Sequence, residues 1–389
     1  MSRTVLVLAL ALAVTAAADE KPTPAQRLAA IQKEAAAAEA ALRDAVAKLP
    51  ETPGGEAKAE KLFKEYRDAQ QARCNAALEI ARADPKSETG FRALEWLLLT
   101  PQAYYRPHGK PALGLMTKHH AGNPKIGKAV AMVSFAPPHP GGPGREEVSA
   151  LLRAVAAKNP DRAARGNAAW GLAQLEKNAF TLAESRGKPG ADALAKKAEQ
   201  AFEAILKEYG TCPFLRSRGD RPATTLADQV KPELVELRLL RIGKPALDTQ
   251  GEDLDGVKFK LSDYRGKVVL LVFWASWCGP CMREVPHERE LVERFKGRPF
   301  ALIGVNGDDK KEDAGKAVTK YKITWRSFSS GEQGPGGPIA KAWNVHGWPT
   351  VYVIDPQGVI RHKYLHGKRL DKPLEDLVAA AEAAAEKAR

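Results

Sequence analysis

The stretch FWASWCGPCMREVP, residues 273–286, sets Cys278 and Cys281 two residues apart, where a strongly apolar run meets a helix-like segment. The run before it, KVVLLVF at 267–273, is continuously apolar, as expected of a parallel strand buried on both faces. The segment after it predicts a helix over about 279–296, with Pro280 in the first turn, where a missing N–H leaves no bond unmade. Cys278 then stands at a helix N-terminus, whose roughly half unit of positive charge favours a thiolate over a thiol. Cys281 falls one turn further in, placed to attack a mixed disulfide formed on Cys278. A zinc site would need four ligands, and the nearest histidine, His287, stands alone. A haem attachment would need His directly after the second cysteine, where Met282 is found. A structural disulfide across two residues would remove little chain entropy. The pair reads as a redox centre with Cys278 as its exposed nucleophile.

Towards the C-terminus, FALIGVN at 300–306 is a second buried strand. TVYVID, the turn DPQG with Pro356 at its second position, and GVIRHKYL form an antiparallel hairpin. A closing helix is expected from Asp371, with Leu374, Leu377 and Val378 on one face. The order is strand, helix, strand, helix, hairpin, helix: an α/β domain over residues 241–389.

Upstream the periodicity is different. Residues 19–240 read as almost entirely helical, either a bundle or a tetratricopeptide-like array. Thr23 is a plausible N-cap, with Pro24 at the first helical position and Gln26 closing a capping box. Leu28, Ile31, Ala35, Ala38 and Leu42 continue a 3-4 seam. A second helix is expected over about 56–83, and further ones near 145–158, 161–178 and 190–209. The last two resemble one helical-repeat pair, which falls short of the roughly three units an array needs. APPHPGGPG at 136–144 and GEQGPGGP at 331–338 read as exposed loops, as do His119, His120 and His139.

The 389 residues carry 60 Lys+Arg against 47 Asp+Glu, a net charge of +13. The basic residues are spread among acidic ones along helices, without a block or an aromatic-interleaved patch, so no nucleic-acid partner is expected. At the N-terminus, Arg3, an apolar run from Val5 to Val14 and Ala16-Ala17-Ala18 make residues 1–18 a secretory signal peptide. The run is shorter than the ~20 residues of a spanning helix, which makes an uncleaved anchor the weaker alternative. No later segment reads as transmembrane. Only four cysteines are present, Cys74, Cys212, Cys278 and Cys281. They are too few to staple a chain of this size, though Cys74 and Cys212 are either buried thiols or a pair.

Residues 242–387 resemble the thioredoxin fold, and within it the extracytoplasmic TlpA/ResA-like thiol–disulfide oxidoreductases. The matching strings are LDGVKFKLSDYRGKVVLLVFWASWCGPCMREVP (254–286) and WNVHGWPTVYVIDPQGVI (343–360). The resemblance implies a central mixed sheet with helices on both faces, preceded here by an all-α domain. It implies a cis-proline facing the cysteines, matched by Pro349 after Trp348, and an inserted helix and strand, matched by 307–328. Thioredoxin carries a buried Asp six residues before its first active-site cysteine, a position held here by Val272. The family points instead to Glu284, one turn after Cys281 on the same helix face, as the proton acceptor. Trp277 and Trp348 are expected to face substrate.

The function expected is that of an exported protein-disulfide reductase in the periplasm or cell envelope. Cys278 attacks, Cys281 resolves, and the Cys278–Cys281 disulfide is the only redox group, with no other cofactor and no metal. Gly279-Pro280 is the thioredoxin dipeptide, which favours reduction; thioredoxin lies near about −270 mV and the oxidant DsbA near about −120 mV. The partners implied are client disulfides, an upstream thiol donor, and a protein at the helical domain. Rival readings are a helical scaffold with an accessory redox domain, and an oxidase or thiol peroxidase on the same fold. The Pro-x-x-x-Thr-x-x-Cys setting of a peroxidase is missing from the sequence.

Overall fold

The computed structural model describes residues 21–50, 52–136, 139–215, 224–330, 334 and 336–387. The expected signal peptide lies outside them, as does part of each Pro/Gly-rich loop. The chain packs as two compact units, one running to residue 121 and taking in 138–147, the other comprising 122–137 and 148–389.

The first unit holds α1 (Pro24–Ala47), α2 (Pro53–Ala83), α3 (Glu88–Leu99), the short α4 (Pro101–Tyr104) and α5 (Gly109–His120). Thr23 and Gln26 form the expected capping box: the Thr23 hydroxyl accepts from the Gln26 N–H at 3.2 Å, and the Thr23 N–H donates to Gln26 Oε1 at 2.8 Å. Cys74, Ala77 and Ala81 of α2 bury completely, as do Leu94, Leu97 and Leu98 of α3 and Leu113 and Met116 of α5. His120 lies in the last turn of α5, not in a loop, and its Nε2 pairs with the Pro85 carbonyl at 2.7 Å. His119 is in the same turn. His139 is in a loop, accepting the Gly141 N–H at 3.0 Å.

In the second unit, α6 (Gly127–Phe135), α7 (Arg145–Lys158), α8 (Arg162–Ser185), α9 (Ala191–Tyr209) and α10 (Leu226–Leu239) precede the sheet; the first turn of α7 belongs to the other unit. Trp170, Phe180, Phe202, Ile205, Val230 and Leu237 form the core of α8–α10. Then come β1 (Gln250–Glu252), β2 (Lys258–Lys260), β3 (Val268–Trp274), α11 (Gly279–Arg294) and β4 (Phe300–Asn306). They are followed by α12 (Lys311–Tyr321), β5 (Ser327–Ser329), α13 (Pro338–Ala342), β6 (Thr350–Ile354), β7 (Ile360–Lys363) and α14 (Asp371–Lys387).

The five-stranded sheet has the order β5-β4-β3-β6-β7, with β3, β4 and β5 parallel and β6 and β7 antiparallel. This is the mixed, thioredoxin-like sheet the sequence resemblance implies. Every residue of β3 is buried, and alternation divides them between two cores. Val268, Leu270, Val272 and Trp274 pack with Cys281, Val285 and Leu291 of α11 and Leu374 and Val378 of α14. Val269, Leu271 and Phe273 pack on the other face with Phe259, Trp343, Tyr352 and Leu240. Each such Leu or Phe stabilises the fold by about 1.5–3 kcal/mol relative to exposure.

The segment after α10 is fastened at both ends. The Ile242 N–H donates to Glu184 Oε1 of α8 at 3.1 Å. Further on the segment runs beside β7, where Gly243 N–H donates to Ile360 O at 2.7 Å and Ile360 N–H to Lys244 O at 2.9 Å. Between α10 and the sheet lies a buried charged cluster. Lys177 of α8 meets Glu233 and Glu236 of α10, and Glu236 Oε1 accepts from Lys363 Nζ at 3.2 Å. Burial opposes the charge on Glu236, yet Lys177, Lys363 and the hydrogen bond from Asn344 hold its carboxyl well below the usual carboxylate range.

Candidate active site

α11 begins where β3 has delivered the chain to the edge of the core. Cys278 is its N-cap, in an extended conformation, and its sulfur accepts the Cys281 N–H at 3.1 Å. That bond satisfies one of the orphan N–H groups of the helix start and would equally stabilise a thiolate there. Gly279 and Pro280 occupy the first two helical positions and are exposed, so the Gly-Pro face of the motif is open to a partner. The two sulfurs are joined, with the Cα atoms 5.3 Å apart.

One expectation differs from the structure. Cys278 is only 4% exposed, close to the 3% of Cys281. In the disulfide form its sulfur is bonded to Cys281 and sits in the α11 core together with Trp274, Ala275 and Met282. The exposed element beside it is Trp277, at 55%. Its ring meets Trp348 edge to face, with centroids 6.0 Å apart.

Trp348 is half-buried and packs against both cores, including the one that holds the cysteines. Gly307 makes room for it, since a Cβ there would come within 2.5 Å of the indole ring. The Trp348–Pro349 peptide is cis, and Pro349 is half-buried directly before β6. The turn that carries Trp277 is pinned by Asp308. Its carboxylate accepts the Ser276 N–H at 3.0 Å, the Ser276 hydroxyl at 2.6 Å and the Asn306 amide at 2.7 Å. Two adjacent loops are thereby locked together beneath the aromatic pair.

Glu284 is half-buried one turn beyond Cys281, and its Oε2 accepts the Gly367 N–H at 2.8 Å. Gly367 has φ +55°, a conformation in which a side chain is strained. His366, beside it, is pushed below the ordinary histidine range by burial, with the Glu284 charge acting in the opposite sense and Arg369 adding to the depression.

Four residues further along α11 stands a group the sequence reading passed over. Glu288 is 5% exposed, in the buried row Cys281, Val285, Glu288, Leu291. Burial, and then the charge of Glu284, push its carboxyl up to about 8, so it carries a proton at neutral pH. The signal was present: a 4-3-3 spacing from Cys281 puts position 288 in an apolar seam.

Cys74 and Cys212 are both buried free thiols. Among the described residues, no group of three or more His, Cys, Asp or Glu side chains could hold a metal ion.

Residues 242–363 match the AhpC/TSA family. The thiol-disulfide oxidoreductase ResA of Bacillus thuringiensis subsp. konkukian is 31% identical over 137 residues, which is 76% of that protein and 35% of this chain. The chain belongs to the ResA-type thiol-disulfide oxidoreductases. ResA of Geobacillus kaustophilus is 32% identical over 126 residues, 70% of its length and 32% of this chain. The solved thioredoxin domain of a thiol-disulfide oxidoreductase from Bacteroides vulgatus is 31% identical, covering 97% of that domain and 35% of this chain with a TM-score of 0.33. Membership makes this an oxidoreductase, and the joined Cys278–Cys281 pair is consistent with a Cys-x-x-Cys motif. The helices before residue 242 stand outside the family match.

Proposed function

We propose that this oxidoreductase is an exported reductase of protein disulfides. The observation that carries the reading is the joined Cys278–Cys281 pair at the start of α11, flanked by the open Gly-Pro turn and the Trp277–Trp348 ledge. In the reduced enzyme the Cys278 thiolate attacks one sulfur of a client disulfide, the other leaves as a thiolate, and a mixed disulfide forms. Cys281 gives its proton to Glu284 and attacks Cys278 Sγ, releasing the second client sulfur and closing the Cys278–Cys281 bond. Two electrons pass from enzyme to client, and both client sulfurs end as thiols. An external dithiol donor then reduces the pair by the same exchange in reverse.

Trp277 and Trp348 are assigned to the apolar flanks of an extended client, and Pro349 to its backbone. The Gly279-Pro280 dipeptide supports the reducing direction. Residues 1–18, read as a signal peptide, support export to the periplasm or cell envelope. Among the described residues no helix is long and apolar enough to cross a membrane. Residues 19–240 are assigned to binding a client or donor protein. The test is insulin disulfide reduction by the full chain with a small dithiol as donor. Turnover well above the dithiol alone, lost in Cys278→Ser, supports the reading; a wild-type rate equal to the dithiol alone refutes it.

A further inference from the structure

One side chain from the region outside the family match, Glu236, is bonded to residues of the sheet domain. Glu236 belongs to α10, yet its carboxylate is bonded to the loop before β6 and to the end of β7. Oε2 accepts from the Asn344 side-chain amide at 3.0 Å. Asn344 lies five residues before Pro349, in the loop that carries Trp348. Oε1 accepts from Lys363 Nζ and from the Tyr364 hydroxyl, each at 3.2 Å. Those residues end β7 and open the turn that runs through His366 to Gly367, whose N–H is bonded to Glu284.

The arrangement is built and not incidental. Glu236 is 6% exposed, Asn344 8% and Lys363 7%. A buried carboxylate without partners would be costly, and here Lys177 is joined by Asn344, Lys363 and Tyr364 of the sheet domain. Asn344 and Tyr364 both sit in the left-handed region, at φ +48° and +58°. Such backbone is uncommon for residues other than glycine and persists where the surroundings hold it. Glu236 is the group that bonds to both side chains.

We infer that Glu236 is a positioning residue for the redox centre: from α10 it fixes the turn that presents the Gly367 N–H to Glu284 and the loop that carries Trp348. The inference rests on the proposed role of Glu284. It makes α10 part of the catalytic apparatus instead of a detachable binding module.

The test uses the full chain with Glu236→Gln, which removes the charge at constant volume, and two milder variants. Tyr364→Phe deletes only the hydroxyl. Asn344→Gly deletes the amide while tolerating the positive φ. Amide hydrogen exchange of Gly367 is compared with that of β3 in the oxidised protein. Loss of one such tether is expected to speed Gly367 exchange by about fivefold with β3 unchanged, since a net hydrogen bond is worth that order. In the reduced Tyr364→Phe protein, resolution by Cys281 should slow while Cys278 attacks at the wild-type rate. Unchanged Gly367 exchange in the folded Tyr364→Phe and Asn344→Gly variants overturns the inference. So does acceleration spread equally over Gly367 and β3, which is a merely structural role. The exchange readout needs no activity, so an inert wild type with the expected exchange pattern counts against the reductase reading and leaves the positioning intact.

Discussion

Replacing Glu288 by Gln should change how the stability of this protein depends on pH. The side chain keeps its size and loses its titration. In the unfolded chain a glutamate gives up its proton near 4.5, whereas in the folded protein Glu288 holds it to about 8. Between those values the folded state binds the extra proton, so stability falls as pH rises, by up to about 1.4 kcal/mol per unit. The contribution is complete below 4.5 and gone above about 8. A span of roughly 3.5 units converts to a total on the order of 5 kcal/mol. The charged carboxylate finds no compensation in its row of Cys281, Val285 and Leu291, and Glu284 adds repulsion. Urea unfolding of the oxidised protein, followed by tryptophan fluorescence from pH 5 to 9, gives the difference between wild type and Glu288→Gln. The two should be nearly equal at pH 5, with the variant several kcal/mol the more stable at pH 9. Groups elsewhere titrate equally in both proteins and cancel. Parallel curves across the range would refute the reasoning.

Glu284→Gln should leave attack by Cys278 intact and slow resolution, so that mixed disulfides accumulate, with a loss in the range of about 10²–10⁴ for a lost general base; wild-type turnover from pH 6 to 9 would reduce Glu284 to a surface residue. Gly307→Ala drives a methyl into the Trp348 ring, at 2.5 Å before relaxation, and is expected to cost about 1–3 kcal/mol in unfolding free energy and to alter the near-ultraviolet signal of the tryptophans. Cys74 and Cys212 should resist a thiol reagent at pH 8 in the native oxidised protein and react together in denaturant; burial pushes the Cys74 thiol up to about 11, so a rapid native reaction at that site would contradict its placement.

What the sequence made legible was local. The Cys-Gly-Pro-Cys turn, the continuous runs of β3 and β4, the DPQG hairpin and the Thr23 capping box each declare themselves within a few residues. The short helices between 88 and 135 and α10 were covered only by the general expectation of helix. Pro85, Pro101, Pro111 and Pro124 punctuate that region, and α6 is apolar on too many sides to show a stripe. Glu288 was within reach of seam counting, but an acid in an apolar row is easily taken for the solvent side of a helix. The Glu236 cluster was out of reach altogether. Its partners Asn344, Lys363 and Tyr364 lie 108 to 128 residues away, and no spacing rule links an acid of one helix to side chains so distant in the chain. The closed form of Cys278 escaped for a similar reason: helix-start chemistry describes the thiolate, while burial depends on what the joined sulfur packs against.

In the proposed mechanism Cys278 and Cys281 act in sequence on a client disulfide. The most direct test of that order is mass spectrometry of the reduced Cys281→Ser and Cys278→Ser chains after mixing with a peptide that carries a single intermolecular disulfide. A stable mixed disulfide is expected on Cys278 in Cys281→Ser, and little or none on Cys281 in Cys278→Ser. Equal trapping by the two variants, or trapping by Cys281 alone, would contradict that order.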